Sequence, residues 1–300
     1  MNLPALVLCA GLGTRLQPLS LVRAKPALPV AGTPLITRIL RWLESAGVSR
    51  VVVNLHHRAD SITRLVGDGS RHGLKVRYSW EAEILGSAGG PARAIPLLEA
   101  DRFLIVNGDM ITNVDLNALA AAHVDTNALV TMAVIDGRDG YNGVIADHRG
   151  IVSGFGTAPG ASHFIGVQVV NASVFAGVDV RTKSETVHGI YPSLIAGRPE
   201  AIRVFHSNAD YFDIGSVPDY LSTAMAIAGR ERVPLDRGRD GKVAATAVLT
   251  DTILWDRVSI GAGARLTQCV VADDVVVPAG AEFSRASLVM RENRIVATPF

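Results

Sequence analysis

Residues 3 to 30 read LPALVLCAGLGTRLQPLSLVRAKPALPV, an apolar run that opens into a glycine-rich turn carrying Arg15 and Lys25. The run Leu3 to Ala10 has the length and continuity of a buried strand. The glycines behind it mark where the chain turns out of the sheet. Gly11 and Gly13 allow positive φ and bring backbone N–H groups close to an anion, and Arg15 and Lys25 add charge that amides lack. The pattern is that of a loop that holds phosphates, although an ordinary strand-to-helix turn with solvated cations has the same glycine pair. Two commoner phosphate loops fail on spacing. A dinucleotide fingerprint needs a third glycine where Leu16 stands, and a P-loop needs Lys followed by Ser or Thr where Thr14 and Arg15 stand.

Outward from this loop, strand and helix patterns alternate. Ile36, Ile39, Leu40 and Leu43 recur at helical spacing, with Thr33 and Pro34 as N-cap and first helical residue and Gly47 as the stop. Strands are expected at 50–55 and 74–80, helices at 59–66 and 91–99, and another apolar strand in FLIVNGD. That alternation predicts an α/β fold with a doubly wound, mainly parallel sheet, whose ligand site lies beyond the carboxyl ends of the strands. Beyond residue 125 the pattern turns strand-rich. This divides the first 228 residues into halves of about 1–125 and 126–228, closed by a helix at 217–228. Residues 229–242, GRERVPLDRGRDGK, read as a linker.

The last segment, 243–290, has a different period. Val248, Leu254, Ile260, Leu266 and Ala272 fall every six residues, interleaved with Val258, Ala264, Val270 and Val276. A six-residue period suits a short parallel β-helix of about two coils with one residue per face turned inward. Its open ends make it a candidate oligomerisation element.

The chain has 300 residues, 48% of them hydrophobic, which suffices for a large core. Lys plus Arg number 29 against 28 Asp plus Glu, a net charge of +1, so there is no electrostatic case for nucleic acid or a membrane as partner. Cys9 and Cys269 show no metal or redox spacing and are expected to be reduced. No apolar run approaches the roughly 20 residues that span a bilayer, and the expected location is cytoplasmic.

The opening loop resembles the signature of sugar-1-phosphate nucleotidylyltransferases, GxGTRLxPL followed by PKPxxPV. Ala24 replaces the first proline of the second element, and Lys25, Pro26, Pro29 and Val30 stand. The resemblance continues through ILGSAGG at 84–90, NGD at 107–109 and FDIG at 212–215. It implies a Rossmann-like nucleotidyltransferase fold ending in a left-handed β-helix. It also implies transfer of a nucleotidyl group from a nucleoside triphosphate to a sugar 1-phosphate, releasing pyrophosphate.

On that pattern, Arg15, Lys25, Asp109 and Asp213 are the catalytic set. Asp109 and Asp213 become ligands of Mg²⁺, which favours hard oxygens and typically accepts one or two carboxylates. Ala10, Gly11, Leu12, Gly13 and Thr14 line the triphosphate. Glu81, Ser87 and Gly89 fall to the base, with Gly89 and Gly90 leaving room for its ring. A carboxylate at Glu81 can accept two hydrogen bonds from guanine but one from uracil or thymine, which tilts the reading to GTP and mannose 1-phosphate. UTP or dTTP stays open, because Glu81 or Glu83 can equally face solvent or bind the main chain. A catalytically silent regulatory subunit is a third reading.

Asn142, Gly143 and Asn171 are candidate sugar contacts, Asn171 being equally readable as a strand-end turn. Many relatives carry a Glu-Lys-Pro motif whose lysine holds the sugar phosphate. Here the stretch is FGTAPG, and Lys183 or His188 is the candidate substitute. His56 and His57 point to opposite sides of an extended chain and cannot easily share a metal, so one is expected to be a hydrogen-bonded loop histidine. Similar doublets occur in mannose-1-phosphate guanylyltransferases.

Overall fold

A computed structural model describes residues 3–137, 143–235 and 238–300. It divides into two compact units. One comprises Met1–Gly11, Arg38–Ala59 and Val66–Tyr211, and the other Leu12–Thr37, Asp60–Leu65 and Phe212–Phe300.

The first unit is built on a nine-stranded mixed sheet. In chain order its strands and the helices up to residue 231 are β1 (Ala5–Leu8), α1 (Leu35–Ser45), β2 (Arg50–Leu55), α2 (Ala59–Val66), β3 (Lys75–Trp80), α3 (Gly86–Leu98) and β4 (Arg102–Asn107). They continue as α4 (Leu116–Thr126), β5 (Val130–Ile135), β6 (Gly143–Ala146), β7 (Val152–Phe155), β8 (Ser162–Asn171), α5 (Tyr191–Gly197), β9 (Ile202–His206) and α6 (Val217–Glu231). The sheet runs β7-β6-β8-β4-β1-β2-β3, with β5 and then β9 branching from β8. Pairings among β4, β1, β2 and β3 are parallel, whereas β8 runs antiparallel to β4, β5 and β6. Ala5, Leu6, Val7 and Phe103 to Val106 are at most 1% exposed, and a strand buried on both faces shows the continuous apolar run seen in the sequence. Register sets Leu8 level with Asn54 on one side and Asn107 on the other, which defines the carboxyl edge of the parallel strands.

Three local differences from the sequence reading have identifiable hydrogen-bonding causes. Thr33 and Pro34 pair with Pro29 and Val30 as a short antiparallel hairpin, and α1 starts one residue later. Helix α3 begins at Gly86 rather than at Pro91, because the Ser184 carbonyl accepts from the Ala88 N–H at 2.9 Å and the Gly89 N–H at 3.3 Å. Helix α4, capped by the Asp115 carboxylate on the Asn117 and Ala118 N–H groups, lies where no helix was expected.

In the second unit, α6 is capped by Ser216 and reaches Glu231. Short parallel strands from Lys242 onward stack as a β-helix. Its repeat is 17 residues: Lys242 pairs with Ser259 and Ser259 with Val276, Val248 with Arg265 and Arg265 with Glu282, and Ile253 with Val270 and Val270 with Ser287. Three rungs form rather than about two, and an antiparallel pairing of Ala286–Arg291 with Arg294–Pro299 follows. Leu254, Ile260 and Leu266 point inward as expected, but Val248 and Val276 are 45% and 55% exposed, and Val271 rather than Ala272 takes the inward place in register with Leu254. One face of each coil has five residues instead of six, so a strict period of six slips out of phase.

Both cysteines are free and buried. Among the described residues, no helix is long and apolar enough to cross a membrane.

Candidate active site

In the second unit, the signature loop folds as tight turns at Thr14–Leu16, Leu19–Leu21 and Lys25–Ala27. Gly13 takes the left-handed conformation, φ 61°, which a side chain would strain, whereas Gly11 does not. A β-carbon at Gly13 would lie 3.2 Å from Ser20 Cβ and 3.6 Å from Lys25 Cβ, so the loop doubles back and sets the lysine stem beside the glycine turn. Arg15 is exposed. The β-carbon position of Gly215 lies 2.9 Å from Asp213 Oδ2, 3.2 Å from Asp219 Oδ2 and 3.3 Å from Arg15 Nη1. Arg15, Asp213 and Asp219, far apart in sequence, therefore crowd the space where a side chain at position 215 would begin. Asp219 was missed in the sequence. Its signal was the spacing Ser216 to Asp219 directly behind FDIG, an N-cap in which Ser216 Oγ accepts from the Asp219 N–H at 3.3 Å and donates to Asp219 Oδ2 at 2.6 Å.

At the carboxyl edge of the sheet in the first unit, the Cys9 N–H donates to Asn54 Oδ1 at 2.6 Å. Asn54 Nδ2 donates to Glu81 Oε1 at 2.7 Å, and the Leu85 N–H to Glu81 Oε2 at 2.9 Å. Glu81 is 5% exposed. Of its possible roles, the structure realises the bond to the main chain: both oxygens tie the turn before α3 to the sheet. The glycines behind it serve the same packing. A β-carbon at Gly90 would lie 2.9 Å from Glu81 Oε1, and one at Gly89 would lie 3.2 Å from the Thr182 carbonyl, so the absence of side chains at both is needed for this packing. Glu83 is exposed, and His56 Nδ1 bonds the Glu81 carbonyl at 2.9 Å as a loop histidine. Asp109 follows Gly108, whose missing side chain lets it approach the Leu8 carbonyl. Burial, helped by the nearby Asp109 charge, pushes the Cys9 thiol far up and keeps it protonated.

A cavity of about 420 Å³ opens in the same unit, lined by apolar Leu8, Met132, Phe155 and Phe164 and by polar Asn107, Gln168, Glu185 and His188, with Ser87 and Gly143 also on its wall. Ser87 faces the protein: its hydroxyl donates to Glu185 Oε2 at 2.7 Å and accepts from the Thr186 N–H at 2.8 Å. Burial tends to raise the Glu185 pKa, but the hydrogen bonds from Ser87 and the Lys183 ammonium hold it below the ordinary carboxylate range. Lys183 Nζ stands 3.2 Å from Glu185 Oε1 with its side chain 65% exposed. Asn171 is a correction. It pairs with Arg102 at the amino end of β4, opposite the edge where Leu8 and Asn107 lie, and its Oδ1 accepts from His123 Nε2 at 3.0 Å. It is a strand-end structural group. Asn142 lies outside the described residues. Among the described residues, no group of three or more His, Cys, Asp or Glu is arranged to hold a metal ion.

The first unit supplies a parallel-cored α/β sheet, and the second a glycine turn that sets the Lys25 stem beside Gly13. The chain belongs to the nucleotidyl transferase family, whose model matches residues 4–230, and within it to the sugar-1-phosphate nucleotidylyltransferases. It is 29% identical over 297 residues to a mannose-1-phosphate guanylyltransferase of Mycobacterium tuberculosis, covering 94% of this chain and 83% of that protein. Over 115 residues it is 44% identical to an N-acetylmuramate alpha-1-phosphate uridylyltransferase of Neisseria meningitidis, covering 38% of this chain and 50% of that one. The fold matches the crystal structure of HddC from Yersinia pseudotuberculosis complexed with GMP-PN. The TM-score is 0.64 at 23% identity, over 75% of this chain and 99% of that one.

Proposed function

We propose that the chain transfers a guanylyl group from GTP to mannose 1-phosphate or a close analogue, releasing pyrophosphate. The observation that carries the chemistry is the gathering of Arg15 and Asp213 at Gly215. Similarity to the mycobacterial guanylyltransferase, which extends over nearly the whole chain, supports the choice of base and sugar. Because both Glu81 oxygens already accept bonds from Asn54 and Leu85, the choice of base is not rested on that residue. Uridylyl transfer is the second reading, favoured by the 44% identity to the neisserial enzyme.

In the proposed reaction a phosphate oxygen of the sugar 1-phosphate attacks the α-phosphorus in line and pyrophosphate leaves, with no covalent enzyme intermediate. Such transfers depend on positioning and on neutralising charge. Arg15 takes the β- and γ-phosphates, Lys25 the α-phosphate and the incoming phosphate, and the amides of Leu12 to Thr14 the remaining oxygens. The donor set suits a hard divalent cation: Asp109 and Asp213 would hold Mg²⁺, whose charge would offset that of the phosphates. The 420 Å³ cavity is assigned to the sugar, with Gly143 on its wall and Lys183 at the Glu185 end as the cation replacing the absent motif lysine.

The test is pyrophosphate release from four nucleoside triphosphates against a panel of sugar 1-phosphates, with Asp109→Asn and Asp213→Asn as blanks. GTP with mannose 1-phosphate should give the highest kcat/KM. Arg15→Ala and Lys25→Ala should each lose about 10² to 10³ in rate. Near-normal turnover in either variant removes that residue from the mechanism, and a preference for UTP or dTTP overturns the choice of base.

A further inference from the structure

Arg23 lies two residues before Lys25, and its guanidinium is bound by two aspartates of the β-helix. Nε donates to Asp273 Oδ2 at 2.8 Å, and Nη2 donates to Asp273 Oδ1 at 2.7 Å and to Asp256 Oδ2 at 2.8 Å. The three side chains are only 13 to 16% exposed. Asp256 and Asp273 are one 17-residue coil apart, so they occupy the same place on successive rungs, and the Asp256 N–H itself donates to Asp273 Oδ1 at 3.0 Å. Two carboxylates stacked at the roughly 4.8 Å spacing of adjacent strands repel, and a planar guanidinium in fork geometry fits between them. Trp255 adds its ring face, with the Arg23 guanidinium carbon 5.2 Å from the centroid.

The other side of the turn is held from the same coil. The Tyr220 hydroxyl donates to the Pro29 carbonyl, and Trp255 Nε1 donates to the Tyr220 oxygen at 3.1 Å. Trp255 is completely buried. The turn Lys25–Ala27 thus hangs between an anchor at Arg23 and an anchor at Pro29, both tied to residues 255 to 273.

We propose that the β-helix is a positioning element for the phosphate loop, and that Arg23 is the positioning residue through which it fixes Lys25. The proposal rests on the role given to Lys25 above. It adds to the sequence expectation that this segment is an oligomerisation element.

The test is a double-mutant cycle. Arg23→Ala should lower kcat/KM by about 10- to 100-fold when Lys25 is present, the loss expected of a misplaced catalytic group. In the Lys25→Ala background it should change the residual rate by less than about twofold, because the group it positions is gone. The thermal midpoint should fall by the same amount in both backgrounds. An equal loss of rate in both backgrounds, or none in either, overturns the proposal. Amide exchange gives a readout independent of turnover: the Ala27 and Leu28 N–H groups, which close the turn on the Ala24 and Lys25 carbonyls at 2.8 and 3.1 Å, should exchange faster in Arg23→Ala. Unchanged exchange overturns the proposal, whereas near-normal turnover in Lys25→Ala alone sinks the mechanism and leaves exchange to decide the anchoring. If Arg23→Ala does not fold, Asp273→Asn, which keeps the shape and removes the charge, goes through the same cycle with the same signs.

Discussion

Asp213 Oδ2 and Arg15 Nη1 converge on Gly215, 2.9 and 3.3 Å from where a β-carbon would stand. The nearest of these atoms are ends of side chains, which can yield without disturbing the backbone. Gly215→Ala should therefore leave the thermal midpoint almost unchanged while reducing kcat/KM by about 10- to 100-fold, the scale of a group displaced by an ångström. Equal kcat/KM for the variant and the parent would show that Arg15 and Asp213 do not act from this position.

Glu81 is assigned to architecture, and its removal should be read in stability. Glu81→Ala leaves the Leu85 N–H and the Asn54 amide without their acceptor in a buried setting. Each such orphan costs about 1–3 kcal/mol, and denaturant unfolding should show a loss of that order. The ratio of kcat/KM for GTP and UTP should stay the same. A changed ratio would return Glu81 to the base.

His123 gives the first unit a pH dependence. Burial lowers its pKa, the hydrogen bond to Asn171 opposes that and the Arg102 charge adds to the lowering, for a net depression. The unfolded chain, with an ordinary histidine near 6.5, therefore takes up the proton more readily than the folded one. Stability is full above that value and declines as pH falls through it toward the lower folded pKa. Unfolding followed from pH 7.5 to 5 should show this decline, and His123→Gln should flatten it. A variant with the same slope as the parent would assign the decline to other groups.

Lys183 is exposed and, among the described residues, paired with Glu185 alone, so its pair is worth no more than about 1 kcal/mol and Lys183→Ala should barely alter stability. Its effect should fall on one substrate. KM for the sugar 1-phosphate should rise while KM for the triphosphate holds. An unchanged sugar-phosphate KM would take Lys183 out of the site.

The sheet was legible because β1 and β4 are buried on both faces and so read as unbroken apolar runs. The signature loop was legible because its glycines and cations are local. Asn171 was misread for a topological reason. A strand end looks the same at either edge of a sheet, and only the antiparallel pairing of β8 with β4 puts this residue at the amino edge. Glu81 failed differently, since sequence shows a carboxylate beside a glycine run but not that Asn54 and Leu85 occupy it. In the β-helix, the six-residue phase found Leu254 to Leu266 and lost Val248, Ala272 and Val276, because the slip comes from one short face per coil. Asp219 carried a usable signal in its spacing from Ser216. Arg23 carried none, since its partners lie more than 230 residues away and are ordinary aspartates in sequence.

The 17-residue coil makes length a quantised property in this part of the chain. Removing or duplicating one whole turn keeps every inward side chain inward, while any other change rotates the remaining turns against those below. Asp256 and Asp273 sit on neighbouring turns, so the guanidinium that straddles them gauges their rise. An indel between 257 and 272 would be sensed some 230 residues upstream, in the opening loop, before it unravelled the solenoid itself.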